Sequence, residues 1–352
     1  LTPGLRRYVE QVRRELPETR LLFMQSSGGL ADAGHFRGKD SILSGPAGGI
    51  VGAVRTALDA GFDRIIGFDM GGTSTDVSHF AGHDLAVLER TFDAQVAGVR
   101  VRAPMLAIHT VAAGGGSILH FDGSRMRVGP DSAGAAPGPA CYGKGGPPTI
   151  TDCNVLLGRI QPDFFPQVFD TDGRGPLDTG AARARLTALH NEIYNKNNNL
   201  HSIEAVAEGY LQIAVENMAN AIKTISVQRG HDVTGYTLAC FGGAAGQHAC
   251  GVADALGMPR ILIHPFAGVL SAYGMGLADI TAMQQCAIEV QLDADLVRQM
   301  DVQIPALGIA ARAHVADQGV PRTAISLHAR AHVKYAGTDT ALVVTAGALP
   351  AM

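Results

Sequence analysis

Residues 66–78 read IGFDMGGTSTDVS, an apolar run that leads through Asp69 into two glycines, three hydroxyl residues and a second carboxylate, Asp76. The apolar run predicts a buried strand. Gly71 and Gly72 predict a turn whose backbone N–H groups can point at one spot, as in anion-binding nests. An ordinary tight hairpin needs the glycines but neither the hydroxyls nor the carboxylates, although Asp side chains can cap such a turn. The stretch therefore favours a phosphate-binding turn, with a self-capped hairpin as the alternative.

The polar residues of this stretch have distinct predicted roles. Hydroxyl groups that can donate to a phosphate follow the two glycines at Thr73, Ser74 and Thr75. Two carboxylates beside a phosphate repel it unless a hard cation such as Mg²⁺ lies between them, usually through water. We therefore predict that Asp69 and Asp76 are catalytic and metal-binding, and that they position metal-bound or attacking water.

Two further glycine-rich turns follow predicted strands. Residues 111–117 read VAAGGGS and residues 241–248 read FGGAAGQH. A glycine-rich turn that opens a helix lets the backbone approach an anion, and the helix N-terminus favours negative charge. Close packing against a neighbouring strand or helix explains such glycines equally well. Neither turn matches the P-loop pattern GxxxxGK[ST], and His248 is predicted to be a polar helix cap.

Cys141 and Asp152 are weaker candidates in the loop-rich middle of the chain. Lys144 could lower the pKa of the Cys141 thiol, but no partner base is identifiable, so a packed cysteine is the better interpretation. Asp152 could lie near the same site or cap a helix. Both alternatives stay open at the level of sequence.

Composition excludes several classes of protein. The chain has 352 residues, a net charge of −4, 5% aromatic residues and no Trp, which argues against nucleic-acid binding. No run of eighteen apolar residues predicts a membrane span. Five cysteines without a CxxC pair argue against a disulfide framework or a structural zinc site, and favour a reducing cytoplasm. The start at Leu1 suggests a fragment of a longer protein.

Periodicity predicts alternating strands and helices, which is typical of a layered α/β domain. The clearest helix spans residues 203–228 and can be capped by Ser202. Residues 65–68 and 77–80 are predicted to be the two strands of a hairpin around the glycine turn. Strands are also predicted at residues 85–88, and β patterning returns at 283–292 and 325–344.

Longer motifs carry a resemblance to a known family. They are FDMGGTSTDVS, TVAAGGGS, GPACYGKGGPPTITDCNVLLGRI, ACFGGAAGQHAC and GVLSAYGMGLAD. Together they resemble the hydantoinase A/5-oxoprolinase family of the actin-like ATPase superfamily, nearly from end to end. PDFFP at 162–166 and KYAGTDTA at 334–341 are similar to the 5-oxoprolinase branch.

This resemblance implies an α/β actin-like ATPase fold: two ribonuclease-H-like halves, with a mixed sheet and flanking helices, around ATP. Residues 1–60 would be the tail of the first half plus the crossover helix. Residues 61–282 would be the second half, with a loop-rich and helical insertion at about 125–200, and residues 283–352 the start of a C-terminal β-rich region. The chain would thus contain mainly the second half.

The resemblance also assigns site residues and cofactors. Residues 69–76 would form the phosphate loop of the second half, with ATP and Mg²⁺ (or Mn²⁺) as cofactors. Nucleotide contacts would come from Gly71, Gly72, Thr73, Ser74, Thr75, Gly115, Gly116, Gly242, Gly243 and Gly246, the last three beside the adenosine. The family's earlier DxGGTxTD loop has no counterpart before residue 69, so we expect this chain alone to be inactive.

The implied activity is hydrolysis of 5-oxo-L-proline to L-glutamate, coupled to ATP cleavage, in the glutathione metabolism of the cytoplasm. A hydantoinase B-type region or subunit and a homo-oligomeric state are implied as well, with no nucleic-acid or membrane partner. The alternatives are an N-methylhydantoinase, the ATP-handling subunit of a ketone carboxylase, and a non-catalytic actin-like nucleotide-binding module.

Overall fold

The computed structural model describes residues 2–92, 94–96, 98–169, 172–197, 202–338 and 341–345. The helices are α1 (Thr2–Glu15), α2 (Ser44–Asp59), α3 (Ile150–Leu156), α4 (Thr179–Asn197), α5 (Ile203–Ile225), α6 (Ala249–Leu256), α7 (Leu270–Leu277) and α8 (Ala294–Ala316). The strands are β1 (Leu22–Met24), β2 (Leu30–Asp32), β3 (Arg64–Met70), β4 (Thr75–Ala81), β5 (Arg90–Thr91), β6 (Ala94–Val96), β7 (Val99–Val101), β8 (Met105–Leu106), β9 (His109–Val111), β10 (Ser117–Phe121), β11 (Met126–Ser132), β12 (Thr237–Phe241), β13 (Arg260–Leu262), β14 (Arg330–Val333) and β15 (Leu342–Thr345). Asp339 and Thr340 of the predicted KYAGTDTA motif lie outside the described residues.

Contacts divide the chain into two compact units. The first contains Leu1–Ser44, Arg90–Met105 and Ala278–Met352, and the second contains Gly45–Glu89 and Leu106–Leu277. This grouping differs from the predicted boundaries, because nearly all of the helix that we expected within residues 1–60 belongs to the second unit. The three-part domain assignment stays a prediction.

The second unit is built on a five-stranded mixed sheet in the order β13-β12-β3-β4-β9. β12 runs parallel to both β3 and β13, whereas β4 runs antiparallel to β3 and to β9. The β3–β4 register runs from Arg64 opposite Ala81 to Met70 opposite Thr75. The predicted hairpin and the predicted mixed sheet are therefore confirmed.

Helices cover both faces of this sheet. α5 begins after Ser202, whose Oγ accepts from the Ala205 backbone N–H at 3.1 Å, so the predicted cap is confirmed. The core on its side of the sheet includes Ile66, Phe68, Met70, Tyr210, Met218 and Ile222. On the other face, α2 packs so closely on α7 that a Cβ atom at Gly52 would lie 2.8 Å from the Leu270 carbonyl oxygen. The small residues of α2 permit this contact.

The first unit combines helices α1 and α8 with short strand pairs. β1 pairs with β2, β6 with β7, and β14 with β15, all antiparallel. Arg20 and the backbone N–H of Asp32 bind the oxygens of Gln318, which joins the start of the chain to the segment after α8. None of the helices in the described part of the chain has the length and apolar character needed to cross a bilayer.

Two predicted strands are wrong. Residues 85–88 contain a 3₁₀ helix, Leu85–Val87, because the Asp84 side chain accepts from the Ala86 N–H at 2.9 Å and so turns the backbone. Residues 283–292 contain no strand, although their apolar and polar residues alternate. Alternation alone does not make a strand without a partner to complete its hydrogen bonds. β14 and β15 confirm β structure within residues 325–344.

Candidate active site

Asp69 and Asp76 lie directly opposite each other near the end of the β3–β4 hairpin. Residues paired in this way point to the same face of a sheet, so the two carboxylates share one site. Thr110 on β9 donates a hydrogen bond from Oγ1 to Asp76 Oδ1 at 2.6 Å. Thr110 holds one oxygen of Asp76 and leaves the other available to a ligand.

Both carboxylates are harder to ionise than an ordinary aspartate. Burial, and secondly the negative charge of Asp76, raises the pKa of Asp69 from 3.8 to about 6. Burial also raises the pKa of Asp76, although the hydrogen bond from Thr110 acts in the opposite direction. Desolvation and a like-charged neighbour both disfavour the ionised form, and a divalent cation would remove that penalty. Such perturbed groups are typical of functional sites.

The turn between the two strands consists of the residues predicted to bind phosphate. The Gly71 N–H donates to the Ser74 carbonyl at 3.0 Å and closes the turn. Gly72 and Thr73 are exposed, and Ser74 is half-buried. Thr75 differs from the prediction: it is fully buried and its Oγ1 donates to the Ala113 carbonyl at 2.5 Å. Its hydroxyl therefore anchors the hairpin and is not offered to a ligand.

The second glycine turn packs against the first. Gly115 N–H donates to the Gly71 carbonyl at 3.1 Å, and Gly116 N–H donates to the Gly72 carbonyl at 2.7 Å. A Cβ atom at Gly114 would lie 2.6 Å from the Gly72 carbonyl carbon, closer than real side chains approach. Gly115 and Gly116 were predicted to contact the nucleotide, but their N–H groups are used to hold the β3–β4 turn in place.

The third glycine turn begins where β12 ends. Because β12 runs parallel to β3, Phe241 pairs with Asp69 and the next residue reaches the carboxylate site. Gly242 has a φ of +90°, and a Cβ atom there would lie 2.5 Å from the Met70 carbonyl oxygen and collide with Asp69 Oδ1. The Ala244 N–H donates to the same Met70 carbonyl at 2.9 Å. The three glycine turns, distant in sequence, meet at the end of β3.

The surroundings of the glycines distinguish those that close packing requires from those that border open space. A Cβ atom would meet nothing within 4 Å at Gly72, Gly243 or Gly246, and at Gly71 only the Ser74 carbonyl at 4.0 Å. Glycine at these four positions is not required by packing, and none has a left-handed φ. A bare backbone beside open space is what close approach of a phosphate or nucleoside requires. We call Gly71, Gly72, Gly243 and Gly246 the open glycines.

Cys141 and Asp152 both have structural roles. Cys141 is fully buried, and burial with the nearby Asp152 charge raises the pKa of its thiol far above the ordinary value. The packed-cysteine interpretation is therefore the one that the structure favours. Asp152 accepts hydrogen bonds from the backbone N–H groups of Thr149, Ala140 and Cys141, which caps α3 and holds the preceding loop.

His248 occupies the N-cap position of α6 and is buried. Its side chain makes no capping hydrogen bond; Nε2 lies 3.3 Å from Asn154 Nδ2. Burial, and secondly the Arg159 charge, lowers the pKa of His248 to about 4. A neutral His248 therefore links α6, which follows Gly243 and Gly246, to α3.

Sequence reasoning missed two threonines that organise the site. Thr110 binds Asp76, and Thr151 donates from both its N–H and its Oγ1 to the Gly115 carbonyl, each at 2.8 Å. Thr110 belongs to the quoted TVAAGGGS motif and Thr151 to the TITDCN stretch, so both were within motifs but carried no distinguishing pattern.

We expect Asp69→Asn to stabilise the ligand-free protein at neutral pH. The pKa of Asp69 is raised in the folded state, so its ionised carboxylate destabilises the folded protein. This destabilisation is absent below about pH 3.8 and complete above about pH 6. The roughly two-unit shift corresponds to at most about 3 kcal/mol, and partial exposure of Asp69 reduces the expected gain to about 1–2 kcal/mol. Urea unfolding at pH 7.5 and pH 4 measures it.

The gain should shrink towards zero at pH 4, where the wild-type carboxyl is protonated. Asp63→Asn is the matched control, because the Asp63 side chain is half exposed and precedes the same strand. If the free energy of unfolding of Asp69→Asn at pH 7.5 is equal to or smaller than that of the wild type, the ionised Asp69 carboxylate does not destabilise the folded protein.

Comparison with known proteins places these features in context. The family described as Hydantoinase/oxoprolinase matches residues 1–284. The 5-oxoprolinase 1 of Arabidopsis thaliana is 41% identical over 355 residues, covering 98% of this chain and 28% of the relative. The 5-oxoprolinase of Saccharomyces cerevisiae is 41% identical over 349 residues, covering 98% of this chain and 27% of the relative. The chain thus spans little more than a quarter of the length of these relatives.

A solved structure is similar over the whole chain. The ATP-dependent caprolactamase from Pseudomonas jessenii superposes with a TM-score of 0.82 at 30% sequence identity. The match covers 99% of this chain and 50% of the caprolactamase chain.

Proposed function

The chain belongs to the hydantoinase/oxoprolinase family and has the α/β actin-like fold with a mixed sheet, and we propose that it carries the phosphate-binding part of an ATP-dependent 5-oxoprolinase. The whole protein would convert 5-oxo-L-proline to L-glutamate while ATP is cleaved to ADP and phosphate. Its main support in the structure is the position of the Asp69–Asp76 pair beside the four open glycines. The identity of about 40% to named 5-oxoprolinases over 98% of this chain supports the choice of substrate.

The chemistry explains why ATP is needed. The lactam amide of 5-oxoproline is stable, and transfer of the terminal phosphoryl group to its carbonyl oxygen makes the carbon electrophilic. One water molecule then adds at that carbon and the C–N bond of the ring breaks, with the amine taking a proton. A second water molecule releases the phosphate. Enzymes of this kind contribute mainly positioning and charge stabilisation.

In this scheme the residues of the chain have separate tasks. The Gly71 N–H closes the turn on the Ser74 carbonyl, and the Gly72 N–H binds a phosphate oxygen, with the Thr73 and Ser74 hydroxyls beside it. Gly243 and Gly246 let the backbone approach the nucleoside. Asp76, held by Thr110, orients water through its second oxygen, and Asp69 lies opposite it.

The residues also fit a divalent cation. Asp69 and Asp76 supply hard carboxylate oxygens from paired positions, which is the donor type that Mg²⁺ and Mn²⁺ accept. Burial raises the pKa of both carboxyls, so their ionised forms are disfavoured, and a bound cation would stabilise those forms. When bound, such an ion would neutralise charge on the phosphates. We propose that both aspartates hold it, through water.

Three further features belong to the proposal. A hydantoinase B-type region or subunit completes the enzyme, the enzyme is a homo-oligomer, and it works in the cytoplasm. The length of the relatives supports the first, since the matched span is only 28% of the Arabidopsis protein.

Substrate-dependent ADP release by the full-length protein tests the function. We expect 5-oxo-L-proline to stimulate release, whereas hydantoins, caprolactam, or a ketone with bicarbonate should not. Stimulation by caprolactam alone would favour the second candidate, a lactamase of another substrate class, which the similarity to the caprolactamase structure supports. Hydantoin or ketone dependence would select an N-methylhydantoinase or a carboxylase subunit. Nucleotide binding without any stimulation would indicate a non-catalytic module.

A further inference from the structure

A second group of ionisable side chains lies away from the carboxylate pair. His79 on β4, Glu89 after the 3₁₀ helix, and His231 after α5 have potential metal-ligating atoms that all lie within 4.8 Å of one another. Among the residues that the structure describes, this is the one group of three or more His, Cys, Asp or Glu side chains whose ligand atoms lie this close together. We call these three residues the His–Glu–His cluster.

Each ring nitrogen of His79 has its own contact. Nδ1 lies 2.6 Å from Glu89 Oε1, and Nε2 lies 3.0 Å from the Tyr236 hydroxyl. The His231 ring stacks on the His79 ring, with centroids 4.0 Å apart and planes at 21°. His79 is buried, whereas Glu89 and His231 are half-buried. The cluster is therefore anchored on the sheet and open on one side. Because a metal ion lies in the plane of each imidazole that binds it, the half-buried His231 ring has to turn out of this stack to become a ligand.

We propose that the His–Glu–His cluster binds a Zn²⁺ ion, or a similar borderline transition-metal ion, through His79 Nδ1, Glu89 Oε1 and one ring nitrogen of His231. Two imidazoles with one carboxylate form a known three-ligand zinc set that leaves a fourth position for water. Imidazole nitrogen favours zinc over Mg²⁺, so this site differs in chemistry from the carboxylate pair.

The ion would bind between His79 Nδ1 and Glu89 Oε1 and would replace their hydrogen bond. Ligand bonds of about 2.0–2.2 Å at a tetrahedral angle separate two ligand atoms by about 3.3 Å. The 2.6 Å contact between Nδ1 and Oε1 thus needs to open by less than about 1 Å. His79 Nε2 would then carry the proton and donate to Tyr236, the outer contact that orients metal-binding histidines.

The charges around the cluster are compatible with a cation. Arg229 Nη1 donates to Glu89 Oε2 at 3.2 Å, which leaves Oε1 for the ion. The Arg229 side chain is half exposed, so its charge is screened by solvent. Burial, and secondly the neighbouring His79, lowers the pKa of His231, so this ring is neutral at pH 7. Burial opposes ionisation of Glu89, but its hydrogen bond to His79, together with its electrostatic interactions with His79, Arg229 and His231, outweighs burial and lowers its pKa.

The cluster is independent of the proposed catalytic site. His79 pairs with Ile66, whereas Asp76 pairs with Asp69, and successive residues of a strand point to opposite faces. His79 and Asp76 therefore lie on opposite faces of the sheet. The inference does not rest on the proposed function, and a bound ion would tie β4 to the segment after α5.

Zinc titration of the purified, tag-free full-length protein, first stripped with a chelator, tests the inference. We expect calorimetry to show a zinc ion per chain at this site with a dissociation constant of roughly 1 μM or below. Co²⁺ in its place should show the visible absorption of a four-coordinate nitrogen and oxygen site. His231→Ala and Glu89→Gln should each weaken binding by about 10-fold or more, since each removes a ligand.

Two controls make the outcome specific. His83→Ala removes an exposed histidine from the end of the same hairpin and should bind zinc like the wild type. Asp76→Asn should also leave zinc binding unchanged, which separates this site from the catalytic one. Failure of the wild type to bind zinc at about 100 μM, or binding by His231→Ala and Glu89→Gln with wild-type affinity, overturns the proposal and leaves a histidine–carboxylate ion pair.

Discussion

Asp76→Asn in the full-length protein should reduce 5-oxoproline-dependent ADP release by on the order of 10²-fold or more, the range lost with general acid–base groups. Asparagine keeps the shape of the side chain and an oxygen that can accept from Thr110. It removes the negative charge that would hold metal-bound or attacking water. Steady-state turnover with saturating ATP and substrate measures the effect.

Asp63→Asn serves as the control for Asp76→Asn, because the Asp63 side chain is half exposed and lies outside the site. Both variants should retain the wild-type far-UV circular dichroism and a cooperative melting transition. If the turnover of Asp76→Asn is within about threefold of the wild-type value, the substitution has no more effect than one at an ordinary surface residue. Asp76 would then only close the hairpin, and the proposed role in catalysis would be wrong.

Gly72→Val should greatly weaken nucleotide binding while the protein stays folded. A Cβ atom at Gly72 would meet nothing within 4 Å, and the backbone there is not left-handed, so the fold accepts a side chain. That side chain would occupy the space in front of the turn N–H groups. Loss of hydrogen bonds to a charged phosphate, each about 1.5–3 kcal/mol, predicts an affinity decrease of about 10- to 100-fold per bond lost. Calorimetric titration with a non-hydrolysable ATP analogue measures it.

Two other glycines provide matched comparisons for Gly72→Val. Gly235→Val places the same side chain just before the start of β12, at the end of that strand away from the site, where a Cβ atom would also meet nothing within 4 Å; this variant should bind nucleotide normally. Gly114→Ala introduces a Cβ atom 2.6 Å from the Gly72 carbonyl carbon, so it should lower the free energy of unfolding by about 1–3 kcal/mol. Wild-type nucleotide affinity in Gly72→Val would remove the turn from the binding site.

The sequence by itself determined the elements that depend on neighbours along the chain. The run at residues 66–78 predicted a strand, a glycine turn and a second strand, and β3 and β4 form that hairpin. The stripe of apolar residues after Ser202 predicted α5 together with its cap. Periodicity, caps and turn residues act over a few positions, so they can be read without knowledge of the fold. Long motifs in the same segments indicated the family.

Only the tertiary structure decided which of the predicted residues border open space and which are used in packing. Gly72 and Gly116 look alike in sequence, yet one borders open space and the other supports the turn from behind. Thr75 was predicted to contact the phosphate, but its hydroxyl is used by the Ala113 carbonyl.

The His–Glu–His cluster brings together residues 79, 89 and 231, and no local spacing in the sequence indicates it. The physical reason is that burial, close approach and ligand geometry arise between segments that are from ten to more than a hundred residues apart. Their positions are set by the packing of the sheet and its helices, and not by the order of residues in any one motif.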